Sequence, residues 1–442
     1  MDIKLSDHFT YKRLFRFVIP SIAMMIFISI YGVVDGFFVS NFVGKTEFAA
    51  VNLIMPFPML LGAFGFMIGT GGSALVSMTL GQGKKEKANE IFSMLIKVTI
   101  IFGVLLSILG ILFTRQIATF MGAEGELLEY CVQYGRWLLV ALTPFMLQNV
   151  FQSFMVTAEK PTFGLVITIS AGLVNVVLDF VLVKVLQGGV VGAALATGLS
   201  QFVGAIIPLV FFLRENNSEL KIVKAKIDFK ALGKTCFNGS SELMTNISLS
   251  LINILYNWQL LKYAGENGVA AYGVVMYVNF IFISVFIGYS IGTAPIIGYN
   301  YGAQNTREMK NVLRKSILFN LLSGIAMCII ATLLSGFLTG IFVSYDIELF
   351  EMTKRGFAIY SISFIVTGLN IYASSFFTAL GNGIVSAAIS FLRTLLFQSI
   401  AVLMLPLIWG LDGVWMAIVV AEGIALFVTA IFYITNKKKY GY

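Results

Sequence analysis

The chain is short of charge. Asp, Glu, Lys and Arg make up 12% of its 442 residues, where a soluble globular domain carries roughly a quarter. That deficit excludes an ordinary water-soluble fold. Cysteine is scarce as well. Cys131, Cys236 and Cys328 are scattered in or beside apolar stretches, so neither a disulfide framework nor a metal site is expected. There is a single histidine, His8. Long polar segments are also missing; the most polar interior stretch is RENNSELKIVKAKIDFKALGK, residues 214–234.

What is present is hydrophobic sequence, 58% of the chain, gathered into long uncharged runs. These include 48–83, 98–114, 137–158, 161–178, 185–213, 243–261, 267–306, 316–345, 356–392 and 394–411. Residues 17–44 and 413–436 are comparable, each interrupted by one acid, Asp35 and Glu422. A membrane-crossing helix needs about 20 mostly apolar residues, so the runs predict about twelve spans in an all-α integral membrane protein. Runs 48–83 and 267–306 exceed the bilayer thickness. They are expected to project beyond it or to kink near Pro56, Pro58 and Pro295. The first apolar segment is too long for a cleavable signal peptide and carries a charge, so it is read as a retained span.

The net charge of +8 is distributed unevenly along the chain. With the N-terminus inside, 21 of the 30 Lys and Arg residues fall in inner segments and 7 in outer ones, while Lys97 and Arg393 lie within spans. This bias predicts a multi-pass membrane protein with both termini in the cytoplasm. It points to a membrane surface rather than to nucleic acid.

The polar stretch 214–234 sits at the midpoint, and the two sides repeat each other. At an offset of 221 residues, Gly44 falls on Gly265, Met55 on Met276, Gly71 on Gly292, Gly81 on Gly302, Asn149 on Asn370, Ser153 on Ser374 and Gly192 on Gly413. The expected plan is therefore a six-helix lobe over 1–213, a cytoplasmic linker over 214–234 and a second six-helix lobe over 235–442. An even number of spans per half makes the halves parallel repeats, related by a pseudo-two-fold along the membrane normal. A monomer is expected.

Acids inside a membrane are functional by default. Asp35 lies 19 residues beyond Arg16, and Asp179 lies 19 residues beyond Lys160, on spans running the same way. At about 1.5 Å per residue the two carboxylates share a depth in the outer half of the bilayer. Asn175 is one helical turn before Asp179, and Thr197 on the next span reaches the same layer. The four form an oxygen-rich cluster suited to Na⁺ or to a shared proton, because two close carboxylates in a low dielectric cannot both stay charged cheaply. At the 221-residue offset their counterparts are Tyr256, Leu396, Ile400 and Ile418; the cluster belongs to the first half only. Arg393 and Glu422, each midway along a span, are read as a structural ion pair. Glu242 either faces a cavity and attracts cationic substrate or sits near the interface. Gln148, Asn149 and Gln152 lie on roughly one helix face, and either line the substrate cavity or hydrogen-bond between helices.

At these residues the chain resembles the multidrug and toxic compound extrusion (MATE) family over essentially its whole length. The resemblance rests on GVVGAALATGLSQ (189–201), IGTAPIIGYNYGAQN (291–305), the looser QSFMVTAEKP (152–161) and the duplicated twelve-span plan. It implies a cation site at Asp35, Asn175, Asp179 and Thr197, a hinge at Pro20, a cavity residue at Tyr31 and a place in the prokaryotic cytoplasmic (inner) membrane; Tyr256 and Glu242 are read with Gln148, Asn149 and Gln152 as further candidate substrate contacts. It implies a secondary active exporter that antiports H⁺ or Na⁺ against amphipathic, often cationic organic compounds by alternating access. No cofactor beyond the coupling ion is expected. ATP is not, because GKT at 233–235 has Asp228 where a phosphate loop needs its first glycine. The alternative is a flippase for lipid-linked oligosaccharide, which would need cavity cations to hold pyrophosphate; only Arg393 and Lys97 are available. An enzyme is not expected: GVVDG and NVVLD lack the Gly-x-Gly-Asp of intramembrane aspartyl proteases.

Overall fold

The computed structural model describes residues 3–343 and 346–442. All regular structure among them is helical. The first half contains α1 (Tyr11–Phe42), α2 (Lys45–Ile54), α3 (Pro56–Gly81), α4 (Lys85–Phe120), α5 (Gly125–Val140), α6 (Leu142–Thr157), α7 (Pro161–Leu178) and α8 (Gly189–Leu213). The second contains α9 (Phe229–Gly302), α10 (Thr306–Val343), α11 (Ile347–Ser361), α12 (Phe364–Ala379), α13 (Gly383–Phe391), α14 (Gln398–Met404), α15 (Pro406–Trp409) and α16 (Leu411–Tyr440). Short π-helices follow α7 (Asp179–Val185) and α13 (Leu392–Phe397).

Among the described residues nine helices are long and apolar enough to cross a membrane, or up to eleven when each bent pair counts as one span. The pairs are α5–α6, bent by 52°, and α11–α12, bent by 50°. The expected kinks divide unevenly. Pro56, lacking an amide hydrogen, opens α3 directly after α2. Pro295 instead sits inside α9, which runs on through it. The interruption of α9 falls at Gly265, with φ 60° and ψ −151°, a backbone region open in practice only to glycine.

The 221-residue offset has a counterpart in space. Gly71 abuts Thr235 and Gly239, while Gly292 abuts Val18; Gly239 is the counterpart of Val18. Gly81 lies against the Tyr299 carbonyl and Gly302 against the Met78 carbonyl; Tyr299 is the counterpart of Met78. Residue i meeting the partner of j, and j the partner of i, is the signature of a two-fold. Gly298 touches Ser77, its own counterpart, which puts that pair on the axis. These approaches leave no room for a Cβ, so α3 and α9 meet backbone to backbone. They lie toward the face that carries Lys84, Lys85, Lys87 and Arg307.

On the same face the segment before α1 ties the halves together. The Leu5 amide donates to Glu159 of the first half at 2.6 Å, and Asn300 of the second donates to the Leu5 carbonyl at 3.3 Å. Glu308 accepts the Phe9 amide at 2.9 Å and faces His8 Nδ1 at 2.6 Å. Leu5 and Phe9 join a buried cluster with Tyr289, Ile296, Met309, Phe376 and Tyr440.

A candidate ion site in the first half

Asp35 stands late in α1, Asn175 one turn from the end of α7, and Thr197 in the third turn of α8. Asp179 is the residue at which α7 gives way to the π-helix. Such wide turns shift the helix register and occur often at functional positions. The fold brings all four together. The Thr197 hydroxyl donates to Asp35 Oδ1 at 3.5 Å, and the Asp35 carboxyl lies where the side chains of Asp179, Asn175 and Thr197 act on it. Asp179 is 0% exposed and Asn175 1%. Both carboxylate oxygens of Asp179 and the amide oxygen of Asn175 are buried without a hydrogen-bond donor. Buried polar atoms are normally satisfied, so three orphaned acceptors beside a second carboxylate make a set that fits a proton or a small cation. Among the described residues no Lys or Arg pairs with Asp35 or Asp179.

The matching layer of the second half is different. Tyr256, the counterpart of Asp35, meets the backbone of Ile418, the counterpart of Thr197, so the same pair of positions touches in both halves. Tyr256 is fully buried, stacked on Tyr272 at 4.9 Å between ring centroids, and accepts from Gln398 at 3.5 Å. It therefore lies inside the second half's own core.

Arg393 and Glu422 do form an ion pair, 3.3 Å apart and largely buried. Glu422 also accepts from Asn370 at 2.7 Å, and Asn370 from Thr429 at 3.0 Å. Glu242 on α9 lies within the influence of Arg393. At the 221-residue offset Arg393, Glu422, Asn370 and Thr429 correspond to Gly172, Gln201, Asn149 and Pro208, all uncharged. The second half thus neutralises its buried acid with a fixed guanidinium, and the first does not.

The remaining residues singled out in the sequence are dispersed. Tyr31 packs beside Phe27, 5.9 Å between centroids, and over Gly172. Gln148 and Gln152 line a small cavity of about 10 Å³ in the first half, with Met24 and Thr168. Asn149 does not line it; its Nδ2 is buried without a partner, as is Gln201 Oε1. Pro20 is buried in an uninterrupted α1, beside the close approach of Gly288 to Ser21 and Ile22. Sequence reasoning missed Gln201, which applying the offset to Glu422 would have found, and it missed both π-helices, for which the sequence carries no signal.

A MatE family model matches the chain twice, over residues 20–181 and 243–403, well over half its length. The multidrug export protein MepA of Staphylococcus haemolyticus (strain JCSC1435) is 25% identical over 419 residues, covering 94% of this chain and 92% of that protein. MepA of Staphylococcus aureus (strain MSSA476) is 24% identical over 416 residues, with 94% and 91% covered. Among solved structures, the outward-facing conformation of a multidrug resistance MATE family transporter of the MOP superfamily superposes with a TM-score of 0.91 at 24% identity, covering 97% of this chain and 96% of that one.

Proposed function

The chain belongs to the MATE family, whose members are transporters and not enzymes, and from that premise we propose that it is a secondary active multidrug exporter coupled to inward movement of H⁺ or Na⁺. One observation carries this reading: two neighbouring carboxylates, Asp35 half-buried and Asp179 buried, with orphaned oxygen acceptors and, among the described residues, no basic partner. An acid pair left without a fixed counter-charge needs a mobile one. Asn175 and Thr197 complete the oxygen set for Na⁺, or steady the protonated form.

The energetics are adequate. One positive charge crossing inward releases about 2.3 kcal/mol per 100 mV of membrane potential. A ligand biases two arrangements only by its differential affinity for them, so cation entry must favour the arrangement that releases drug outside. The halves here meet at the basic face, which the charge bias assigns to the cytoplasm, and that is consistent with an opening toward the other side. We read α9 as two spans on either side of Gly265. Its 74 residues would extend roughly 110 Å if straight, far more than one bilayer core. With both bent pairs as single spans the count becomes twelve, and both termini lie in the cytoplasm of a bacterial cell.

Tyr31, one turn before Asp35, is placed to sense the ion site, and Glu242 offers a carboxylate to a cationic substrate. A lipid-linked pyrophosphate would need free cations in the cavity; Arg393 is already committed to Glu422.

The test is dye efflux from proteoliposomes with pH and Na⁺ gradients imposed separately. One of the two gradients should drive efflux in the parent and neither in Asp35→Asn. Gradient-driven efflux by a well-folded Asp35→Asn protein at the parental rate would refute the coupling role.

A further inference from the structure

Arg307, Lys310 and Arg314 project from the start of α10 and are exposed. With Tyr11, Asn311 and Lys315 they line a surface pocket of about 400 Å³. Among the described residues these three cations have neither an ion-pair nor a hydrogen-bond partner. The one acid on this stretch, Glu308, is already engaged by His8, the Phe9 amide and Asn311. Lys315 and Asn311 hold the opposite wall: both donate to the Phe9 carbonyl, and Lys315 lies 5.0 Å over the Tyr11 ring. The pocket therefore joins the second half's α10 to the start of the first half's α1. Beyond Lys315 the same helix turns apolar while staying exposed, with Leu318 at 43% and Leu322 at 56%.

We propose that this pocket binds the headgroup phosphate of an anionic phospholipid, with the acyl chains lying along Leu318 and Leu322. The order of features along α10 is that of an amphiphile: unpaired cations first, then a bare hydrocarbon flank. Arginine forks match phosphate oxygens in pairs, and basic pockets at helix ends on this side of a membrane suit anionic headgroups. A free phosphate would use the cations alone and leave the apolar flank without a role. Because Tyr11 and the Phe9 carbonyl form the far wall, a bound lipid fastens the N-terminal segment to α10 and favours the arrangement in which the halves meet at this face.

The experiment is native mass spectrometry of the purified protein titrated with phosphatidylglycerol, phosphatidylcholine or glycerol 3-phosphate. The parent should retain phosphatidylglycerol in preference to phosphatidylcholine, and R307Q/K310Q/R314Q should bind it at least tenfold more weakly. The control K437Q/K438Q/K439Q removes the same charge from the same face outside the pocket and should bind as the parent does. Unchanged retention in the α10 triple variant would overturn the proposal. So would an equal loss in the control, which would mean diffuse attraction, or glycerol 3-phosphate binding as tightly as the lipid, which would mean a free-phosphate site.

Discussion

Asp179 is buried with no donor on either oxygen, and its chemistry separates a working acid from a structural one. A buried carboxylate held for stability loses its contacts when neutralised, whereas one held for ion binding loses only its charge. Asp179→Asn should therefore fold with a melting temperature no lower than the parent, while gradient-driven efflux in vesicles falls to background. Arg393 is the opposite case. Arg393→Met leaves Glu422 buried and unpaired and should cost about 3–5 kcal/mol, whereas the double replacement Arg393→Met/Glu422→Met should come close to neutral; thermal unfolding in detergent measures both. That Asp35, Asn175, Asp179 and Thr197 lie together was legible because a lone acid in hydrocarbon stands out and helix spacing fixes its depth. The Arg393–Glu422 pair was legible for the same reason, but the polar groups around Glu422 and Tyr256 were not. Asn370, Thr429 and Gln398 look like any polar residues in a span until the helices are set side by side.

Among the elements, the long helices were legible from the apolar runs, and their interruptions were not. The sequence pointed to Pro295 as a kink, but a proline within a packed helix costs one hydrogen bond and need not bend it. The break instead falls at Gly265, where the chain requires φ 60° and open space surrounds the missing side chain. Gly265→Ala should thus destabilise by about 1–3 kcal/mol through backbone strain alone. Gly273, in the same segment, also has nothing near its missing Cβ but is helical, so Gly273→Ala should stabilise by about 0.5–1 kcal/mol. Thermal shifts of opposite sign in two glycine variants of one helix check the account without reference to transport.

For the whole molecule, the duplication was readable as an offset, and the reciprocal contacts across the two-fold give it spatial form. The N-terminal segment was not readable as a tie, since residues 3–10 carry no periodic pattern and their partners Glu159 and Glu308 lie 154 to 300 positions away. Replacing Leu5 and Phe9 by Ser removes two buried anchors and should loosen the closure at the basic face. Ser77, fully buried on the axis, reports this. A cysteine placed there, in a protein otherwise free of cysteine, should resist a membrane-impermeant thiol reagent applied from that face and become reactive once the anchors are gone. Resistance in both proteins would mean that the helices alone keep the face shut.

That closure is made where two helices set Gly71, Gly81 and Gly302 against bare main chain and Gly298 against only the small Ser77 side chain. Such a joint is smooth. No knob leaves a socket when it parts, no rotamer has to swing clear, and the two faces can separate and return without repacking. A single methyl at Gly71, Gly81 or Gly302 would be a pebble in a door jamb: it would meet a facing carbonyl with no side chain to yield, and would hold the two helices apart.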